Sequence, residues 1–342
     1  MSLRELFGVE LPVVQAPMAG FQDSELAIAV SGVGGLGSLP CALLSLDTMR
    51  AELAAIRART DKPYNVNFFC HTAPKPDAAR EAAWRRLLSP YFQEYGIDAA
   101  DDAAPASRAA FSAAAADVLE AFKPAVVSFH FGLPPENLLA RIKSWGSKVM
   151  SSATTVEEAL WLEARGVDAV IAQGAEAGGH RGIFLSEDLS TQLGTFALLP
   201  QIVKAVRVPV IAAGGIADAK GVAAAMLLGA AGVQPGTAYL LCPEAKISAV
   251  HRAALNSPLA NHTALTNLFT GRPARGIMNR IMRDLGPINA AAPAFPLASG
   301  ALAPLRKCAE SLGRGDFSPL WAGQNVSGCR EISAATLTRA LI

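Results

Sequence analysis

The sequence predicts an α/β protein built as a (β/α)8 TIM barrel, with an added, mostly helical C-terminal segment over the barrel mouth. Three observations indicate this fold. Short apolar runs, typical of strands buried on both faces, alternate with helical segments as far as residue 243. Glycines and polar side chains stand where these runs end. The repeat continues for eight units without an N-terminal GxGxxG, which disfavours a doubly wound sheet.

The bounds of the predicted elements follow from the apolar runs and from helical spacing of apolar residues. Strands are expected at residues 12–18, 34–40, 64–70, 125–131, 148–153, 167–172, 208–215 and 232–240. Helices are expected between them at 24–32, 46–59, 135–145, 155–166, 198–206 and 218–229. Two of these helices begin with a capping signal, which is Thr154 or Thr155 in one and Asp218 in the other.

Two regions depart from the alternating pattern. Residues 71–123 are polar and Ala-rich, and we interpret them as a helical insertion together with one barrel helix. Beyond the eighth strand the pattern stops, so we divide the chain into a barrel at 1–243 and a mostly helical segment at 244–342. We expect the last helix to pack back on the barrel. Helical spacing returns at 251–265, 304–312 and 333–342.

Composition excludes several classes of protein. The 342 residues carry a net charge of +1 and no basic stripe with interleaved aromatics, which argues against nucleic acid as the partner. Five scattered cysteines without a CxxC pair indicate a reduced cytoplasmic protein without a metal site. The N-terminus lacks an apolar signal region and no apolar run reaches membrane-spanning length, so we expect neither export nor a membrane. We expect a monomer or homodimer.

The loop after the sixth predicted strand is the most unusual stretch. The apolar run 167–172 gives way to QGAEAGGHRG at 173–182. Glycines such as Gly178 and Gly179 let the main chain approach a ligand and adopt positive φ, and N–H groups of such a loop can hold an anion. His180 beside them can move a proton near neutral pH. A plain turn with a surface histidine is the alternative.

Two further loops predict a phosphate site. Gly214 and Gly215 end the seventh predicted strand, and QPGT at 234–237 ends the main apolar part of the eighth. Loops after strands seven and eight of a TIM barrel commonly hold phosphate through backbone N–H groups and a helix N-terminus. The alternative is that these glycines only let a helix pack against a strand.

Seven motifs, in order along essentially the whole chain, resemble the nitronate monooxygenases, formerly 2-nitropropane dioxygenases, and their bacterial class most. The family is a TIM barrel with an added helical domain that holds FMN non-covalently, uses no metal and oxidises alkyl nitronates with O₂ to a carbonyl compound and nitrite. The motifs are QAPMAG at 15–20, NVNFF at 65–69, SFHFGLP at 128–134, QGAEAGGHRG at 173–182, AAGGIAD at 212–218, FTGRPARGI at 269–277 and LWAGQ at 320–324.

The resemblance implies a role for each motif residue. Asn67 and Gln173 would hydrogen-bond the edge of the flavin ring, since amides both donate and accept. Met18 and Ala19 would lie against the ring, and Gly178 and Gly179 against the cofactor. The FMN phosphate would lie on the two strand-end loops, on Gly214, Gly215, Gln234, Pro235, Gly236 and Thr237.

Two histidines compete for the chemical role. His130 lies near the end of the fourth predicted strand, on the same side as Ser128, and we favour it as the base that takes the α-proton of a neutral nitroalkane. His180 is the second catalytic candidate, and His71 is a weaker one. His251 and His262 are interpreted as structural. Three cations, Lys307, Arg272 and Arg275, are candidate anion contacts, although solvated surface charge is the favoured interpretation of each.

Three other functions stay open. An NAD(P)H-dependent flavin reductase, acting on enoyl thioesters or quinones, could use the same scaffold, but the sequence shows no nicotinamide site. A flavin-free aldolase or isomerase could use the phosphate site for its substrate. A non-enzymatic flavin-binding module is the third. The main expectation is an FMN enzyme that acts on a nitronate, such as propionate 3-nitronate, and O₂.

Overall fold

The computed structural model describes residues 1–98 and 108–342. Seven strands form a parallel sheet in the order β1-β2-β3-β4-β5-β7-β8, and β6, β10 and β9 form a second, antiparallel sheet. The strands are β1 (Gly37–Pro40), β2 (Tyr64–Phe69), β3 (Val126–His130), β4 (Lys148–Ala153), β5 (Ala169–Gln173), β6 (Gly179–His180), β7 (Val210–Ala213), β8 (Gly232–Val233), β9 (Thr263–Thr266) and β10 (Ala274–Ile277).

The parallel sheet closes into a barrel through the N-terminal segment. Val13 bridges Val233 of β8, and Val14 bridges Leu36 beside β1, both in parallel. The Val14 N–H donates to the Val233 carbonyl at 2.8 Å. The predicted TIM barrel is confirmed. The first predicted strand is shorter than the expected 12–18, since its pairing ends before Pro17, which has no N–H to donate.

Helices cover the outside of the barrel, and their predicted caps are present. The side chain of Thr155 accepts from the Glu158 N–H, and that of Asp218 accepts from the Gly221 N–H. The α-helices in the described residues are α1 (Leu3–Phe7), α2 (Ser24–Ser31), α3 (Leu46–Arg59), α4 (Ala78–Glu94), α5 (Ala113–Glu120), α6 (Glu136–Ser144), α7 (Val156–Ala164), α8 (Thr195–Ala205), α9 (Ala219–Leu227), α10 (Ala249–Leu255), α11 (Arg280–Leu285), α12 (Ala298–Ser311) and α13 (Ala334–Ala340).

The amino-terminal end of the barrel is closed. Leu3 and Phe7 of α1 pack against barrel-interior residues such as Ile171 and Ile211. A Cβ at Gly232 would lie 2.4 Å from Leu3 Cδ1, so only glycine permits this approach. With this end filled, a cavity can form only at the opposite, carboxyl ends of the strands. None of the helices in the described parts of the chain is long and apolar enough to cross a membrane.

The inserted and C-terminal segments pack on each other. Trp84 and Leu88 of α4 share a second apolar core with Leu302 and Leu305 of α12. Residues 99–107, part of the predicted insertion, lie outside the described residues. The C-terminal segment is less helical than expected, because β9 and β10 form a hairpin that pairs with β6. Helix α13 packs on α2, and its Leu337 lies in the barrel core. The domain division at residue 243 stays a prediction.

Candidate active site

A cavity opens at the carboxyl ends of the barrel strands, and the C-terminal segment supplies part of its wall through Trp321, Gly323 and Asn325. The structure brings every catalytic or cofactor-binding candidate from the sequence to this cavity, although their roles stay predictions. These lining residues are Met18, Ala19, Asn67, His130, Gln173, Gly178, Gly179, His180, Gly214, Gly215, Gln234, Pro235, Gly236 and Thr237.

Glycines make room for a ligand along one side of the cavity. Gly214 and Gly215 have φ values of 116° and 73°, which side chains rarely adopt. A Cβ at Gly236 would lie 3.2 Å from Ala16 Cβ and 3.9 Å from Met18 Sδ, against the segment that follows the first strand. All three glycines line the cavity where the sequence predicts a phosphate, and they leave main chain rather than side chains at these positions.

Two amides on the cavity wall have acceptor oxygens without a protein partner. Oε1 of Gln234 is buried and makes no hydrogen bond in the described residues. Asn67 donates its Nδ2 to Ser128 Oγ at 2.9 Å, while no hydrogen bond within residues 1–98 and 108–342 reaches its Oδ1. Buried polar groups are nearly always satisfied, so the Gln234 oxygen calls for a donor from a ligand, and the Asn67 oxygen is open to one from the cavity. A flavin ring N–H or a ribityl hydroxyl fits that requirement, and the site therefore suits a flavin.

The glycine loop is held by its own polar residues. Gln173 donates its Nε2 to the His180 carbonyl at 3.0 Å and accepts from the Gly182 N–H at 2.7 Å. The fully buried Arg181 donates to the carbonyls of Gln173 and Gly174, both at 2.7 Å. Gln173 was predicted to bind the flavin edge, and the structure shows that its amide also fixes the loop that carries His180.

The ring of His130 is engaged at both nitrogens. Its Nε2 lies 3.1 Å from the His180 carbonyl, which can only accept, so Nε2 carries the hydrogen of the neutral ring. Its Nδ1 then accepts from Ser152 Oγ at 3.0 Å. A base needs a free lone pair near the substrate, and in this arrangement His130 has none. The geometry thus favours His130 as a support for the His180 main chain more than as the base.

His180 has a free nitrogen. Its Nε2 lies 2.9 Å from Thr270 Oγ1. Its Nδ1 has no hydrogen-bond partner in the described residues and is not among the atoms that protein buries completely. The ring lines the cavity. Of the two predicted catalytic histidines, His180 is therefore the one with a ring nitrogen open to a bound molecule.

Both histidines are neutral at pH 7. Burial, together with the charges of Arg272 and Arg181, lowers the pKa of His130 to about 4 against the opposing effect of the His180 carbonyl. Burial also holds the pKa of His180 well below 6.5, and the charge of Arg108 adds to the effect. A neutral imidazole is the form that can act as a base.

The predicted anion contacts need correction. Lys307 is exposed, as expected. Arg275 is buried and donates its Nε to the Ala175 carbonyl at 2.8 Å. Arg272 is half-buried, with its guanidinium 4.0 Å from the centre of the Phe131 ring. The interpretation of these two arginines as solvated surface charge was wrong, because β10 pairs with β6 and draws both against the glycine loop.

Arg108 is a cavity residue that sequence reasoning missed. It lines the wall and lies over the Phe295 ring at 5.6 Å, and its buried Nε has no hydrogen-bond partner in the described residues. It stands in an Ala-rich stretch without any motif, so no sequence signal marks it. Within the described chain, Glu176 is the only carboxylate on the cavity wall, and it caps α8 by accepting from the Thr195 N–H.

The other histidines lie outside the cavity wall. His71 packs its ring 4.8 Å from Phe295, and its buried Nδ1 has no partner in the described residues. His251 is buried with its ring 5.0 Å from Phe21, and His262 is exposed. Neither position contacts the cavity, in keeping with the structural interpretation of both.

Similar folds identify the class of protein. The structure matches a nitroalkane oxidase from Streptomyces ansochromogenes over 100% of this chain and 96% of that one, with a TM-score of 0.90 and 39% identity. FabK from Thermotoga maritima matches with a TM-score of 0.72 and 28% identity, covering 100% of this chain and 94% of that one. Fold and site together define an oxidoreductase of the flavin-dependent TIM-barrel class.

Sequence relatives give the family. A profile described as nitronate monooxygenase matches residues 1–342. A nitronate monooxygenase from Pseudomonas aeruginosa is 43% identical, with 98% of this chain and 97% of the relative covered. One from Paraburkholderia phytofirmans is 41% identical, with 99% of this chain and 93% of the relative covered. The chain belongs to the nitronate monooxygenase family.

Proposed function

We propose that the protein is an FMN-dependent monooxygenase that oxidises alkyl nitronates, such as propionate 3-nitronate, with O₂ to a carbonyl compound and nitrite. The observation that carries the proposal is the cavity at the strand ends, which combines glycine loops suited to a phosphate with the amides of Asn67 and Gln173 and an uncharged His180. When bound, FMN would supply the electron chemistry toward O₂, which no side chain here can supply.

The lining residues divide by chemistry into a phosphate end and a ring end. Backbone N–H groups of the two strand-end loops would hold the phosphate, and a single phosphate cradle without a Rossmann fingerprint favours FMN over FAD. Asn67 and Gln173 would hold the ring edge, Met18 and Ala19 would lie along the ring, and Gly178 and Gly179 would border it. The residues of the phosphate end are Gly214, Gly215, Gln234, Pro235, Gly236 and Thr237.

The histidines would handle the proton. His180 Nδ1 would take the α-proton of a neutral nitroalkane, whereas a nitronate arrives deprotonated and needs no base. His130 would hold the His180 main chain through the 3.1 Å contact with its carbonyl. The charges of Arg108 and Arg272 near the His180 ring favour an anionic substrate in the cavity.

The test is direct. Purified protein should be yellow, heat-released flavin should be FMN, and propionate 3-nitronate in air should give nitrite. A colourless protein, recovery of FAD, or a yellow protein without nitrite release would overturn the corresponding part of the proposal. The flavin reductase on the same scaffold is the second candidate. Rapid anaerobic bleaching of the flavin by NAD(P)H would favour it.

We also propose a cytoplasmic monomer or homodimer. All five cysteines are free, which suits a reducing compartment. Size-exclusion chromatography with light scattering would give the oligomeric state, and a tetramer or larger assembly would contradict the proposal.

A further inference from the structure

Thr270 ties the proposed base to the C-terminal segment. This residue is buried, with 1% of its surface exposed, and its Oγ1 lies 2.9 Å from His180 Nε2. It stands four positions before Ala274, which pairs with His180 where β10 meets β6. The segment outside the barrel therefore contacts the side chain of His180 as well as its main chain.

The hydroxyl of Thr270 has three neighbours and one hydrogen. The Arg272 N–H donates to Oγ1 at 3.4 Å, and Oγ1 lies 3.3 Å from the Arg272 carbonyl. A hydroxyl donates once and accepts twice. If it donates to the carbonyl, it accepts from both the Arg272 N–H and His180 Nε2–H, and all four polar groups are satisfied. If it donates to His180 instead, the carbonyl loses this partner.

The arrangement in which Thr270 donates to the Arg272 carbonyl is favoured, because it gives every polar group a partner. His180 then carries its hydrogen on Nε2, and Nδ1 has a lone pair toward the cavity. The opposite tautomer would present an N–H at Nδ1 and could not take a proton there. A doubly protonated ring is disfavoured by burial and by the charge of Arg108.

We propose that Thr270 is a positioning residue that fixes the Nε2–H tautomer of His180 and so keeps Nδ1 available as the proton acceptor. This inference rests on the proposed function for its catalytic consequence, although the tautomer itself can be observed without turnover. The main chain of His180 is independently fixed by Gln173 and His130, so the hydroxyl acts on the ring alone.

The experiment compares Thr270→Val, which loses only the hydroxyl, with Thr270→Ser, which keeps it. Thr338→Val is the matched control, because Thr338 is equally buried and its Oγ1 contacts Tyr239 instead of a histidine. Two-bond ¹⁵N–¹H spectra of histidine-labelled, flavin-bound protein report the tautomer, and the His180 signals are assigned by their loss in His180→Asn.

The expected spectrum shows His180 as Nε2–H in the wild type, in Thr270→Ser and in Thr338→Val. Thr270→Val should lose this signature or mix it with the Nδ1–H form. An Nδ1–H tautomer in the wild type, or an unchanged His180 signal in Thr270→Val, would overturn the proposal regardless of any activity.

Kinetics provide the second readout. In Thr270→Val, the ratio of kcat/KM for a neutral nitroalkane to that for its pre-formed nitronate should fall by about 10²-fold, the low end of a general base's ~10²–10⁴-fold contribution. Thr270→Ser should restore the ratio, and Thr338→Val should leave it unchanged. A ratio unchanged in Thr270→Val, or lost equally in the serine variant, contradicts the role of Thr270. Absence of nitrite from pre-formed nitronate in the wild type contradicts the proposed function instead.

Discussion

At the scale of single residues, the hydrogen bonds of the two cavity histidines separate their roles. We expect His180→Asn to lower kcat/KM for neutral nitroalkanes by ~10²–10⁴-fold, the range of a positioned general base. Turnover of pre-formed nitronates should be affected far less, because they carry no proton to remove. The measurement is nitrite release from both forms of one substrate.

His130→Asn is the matched control for this prediction. It removes the contacts to Ser152 and to the His180 carbonyl but leaves His180 Nδ1 free. The loss should be smaller and similar for both substrate forms. A selective loss in His130→Asn alone would restore the sequence-based preference for His130 as the base.

The buried environment of the histidines predicts the pH dependence of catalysis. Because burial lowers the pKa of His180 below 6.5, its base form persists as the pH falls through the usual imidazole range. We expect kcat/KM for a neutral nitroalkane not to fall as the pH is lowered from ~8 to the ordinary histidine pKa, so the profile has no acid limb in this range. Profiles at constant ionic strength test this, and an acid limb with a pKa of 6.5 would contradict it.

Arg108 offers a test of substrate charge. Its buried Nε, which has no partner within residues 1–98 and 108–342, and its place on the wall suit a second anionic group, such as the carboxylate of propionate 3-nitronate. Arg108→Leu should raise KM for propionate 3-nitronate by roughly 10-fold, as expected for loss of one charge-assisted hydrogen bond. Ethyl nitronate, which has no carboxylate, is the control substrate. An equal rise in KM for both would point to a structural role.

Local signals explain which residues could be predicted from sequence. Gly214 and Gly236 stand at strand ends, and His180 follows a glycine pair, so the fold class alone directs them to one cavity. Arg108 has no such signal, and Thr270 lies in the motif at 269–277 but not at the end of a predicted strand. They reach the site through packing of segments distant in sequence, and the hydrogen-bond state of His130 and His180 depends on the same long-range contacts.

At the scale of secondary-structure elements, the loop after β8 can be tested separately from the strained loop after β7. Gly236 has a negative φ of −119°, so a side chain there strains no backbone and only projects toward Met18 and Ala16. We expect Gly236→Val to lose most of its bound flavin and to remain folded. The ratio of flavin to protein absorbance and the thermal unfolding midpoint measure the two effects.

Gly221→Val is the matched control for Gly236→Val. Gly221 lies in α9 on the outside of the barrel, and a Cβ there meets its neighbours at an ordinary 3.5 Å. Its flavin content should match that of the wild type. Full flavin occupancy in Gly236→Val would mean that the loop after β8 does not hold the cofactor.

Elements with strong periodic signals were predicted well. Strands that form only because a distant strand pairs with them were not. Strand β4 has the predicted bounds, because its apolar run is bounded by helical segments that end clearly. The residues of β6, β9 and β10 form no long apolar or alternating run, so the second sheet escaped prediction. Two-residue β6 is a strand only because β10 supplies its hydrogen bonds.

At the scale of the whole molecule, the C-terminal segment forms part of the wall of the candidate active site. A Cβ at Gly178 would lie 2.5 Å from Gly323 N, and the Gly323 N–H donates to Thr237 Oγ1 at 2.9 Å. The glycine loop, the loop after β8 and the segment near residue 323 therefore hold one another. Cavity geometry and docking of the C-terminal segment should change together.

His251 lies at the junction where the C-terminal segment packs on the barrel, and it makes this junction sensitive to acid. His251 belongs to α10 and its ring packs against that of Phe21, and no hydrogen bond of good geometry reaches either ring nitrogen in the described residues. Burial lowers its pKa to about 4, only partly offset by the nearby Trp321 main chain. The unfolded chain, with a pKa of 6.5, therefore takes up a proton before the folded one does.

Proton uptake by the unfolded state sets the sign of the effect. The contribution of His251 to stability is fully present above pH 6.5 and is lost as the pH falls toward 4, by about 3 kcal/mol over the whole interval. We expect His251→Leu to flatten the decline in the free energy of unfolding across this window by a similar amount. Stability near neutral pH should not fall, because leucine leaves no buried polar atom unsatisfied. Urea unfolding at a series of pH values, with His262→Leu at an exposed position as control, measures this, and an unchanged slope in His251→Leu would show that the junction does not titrate through His251.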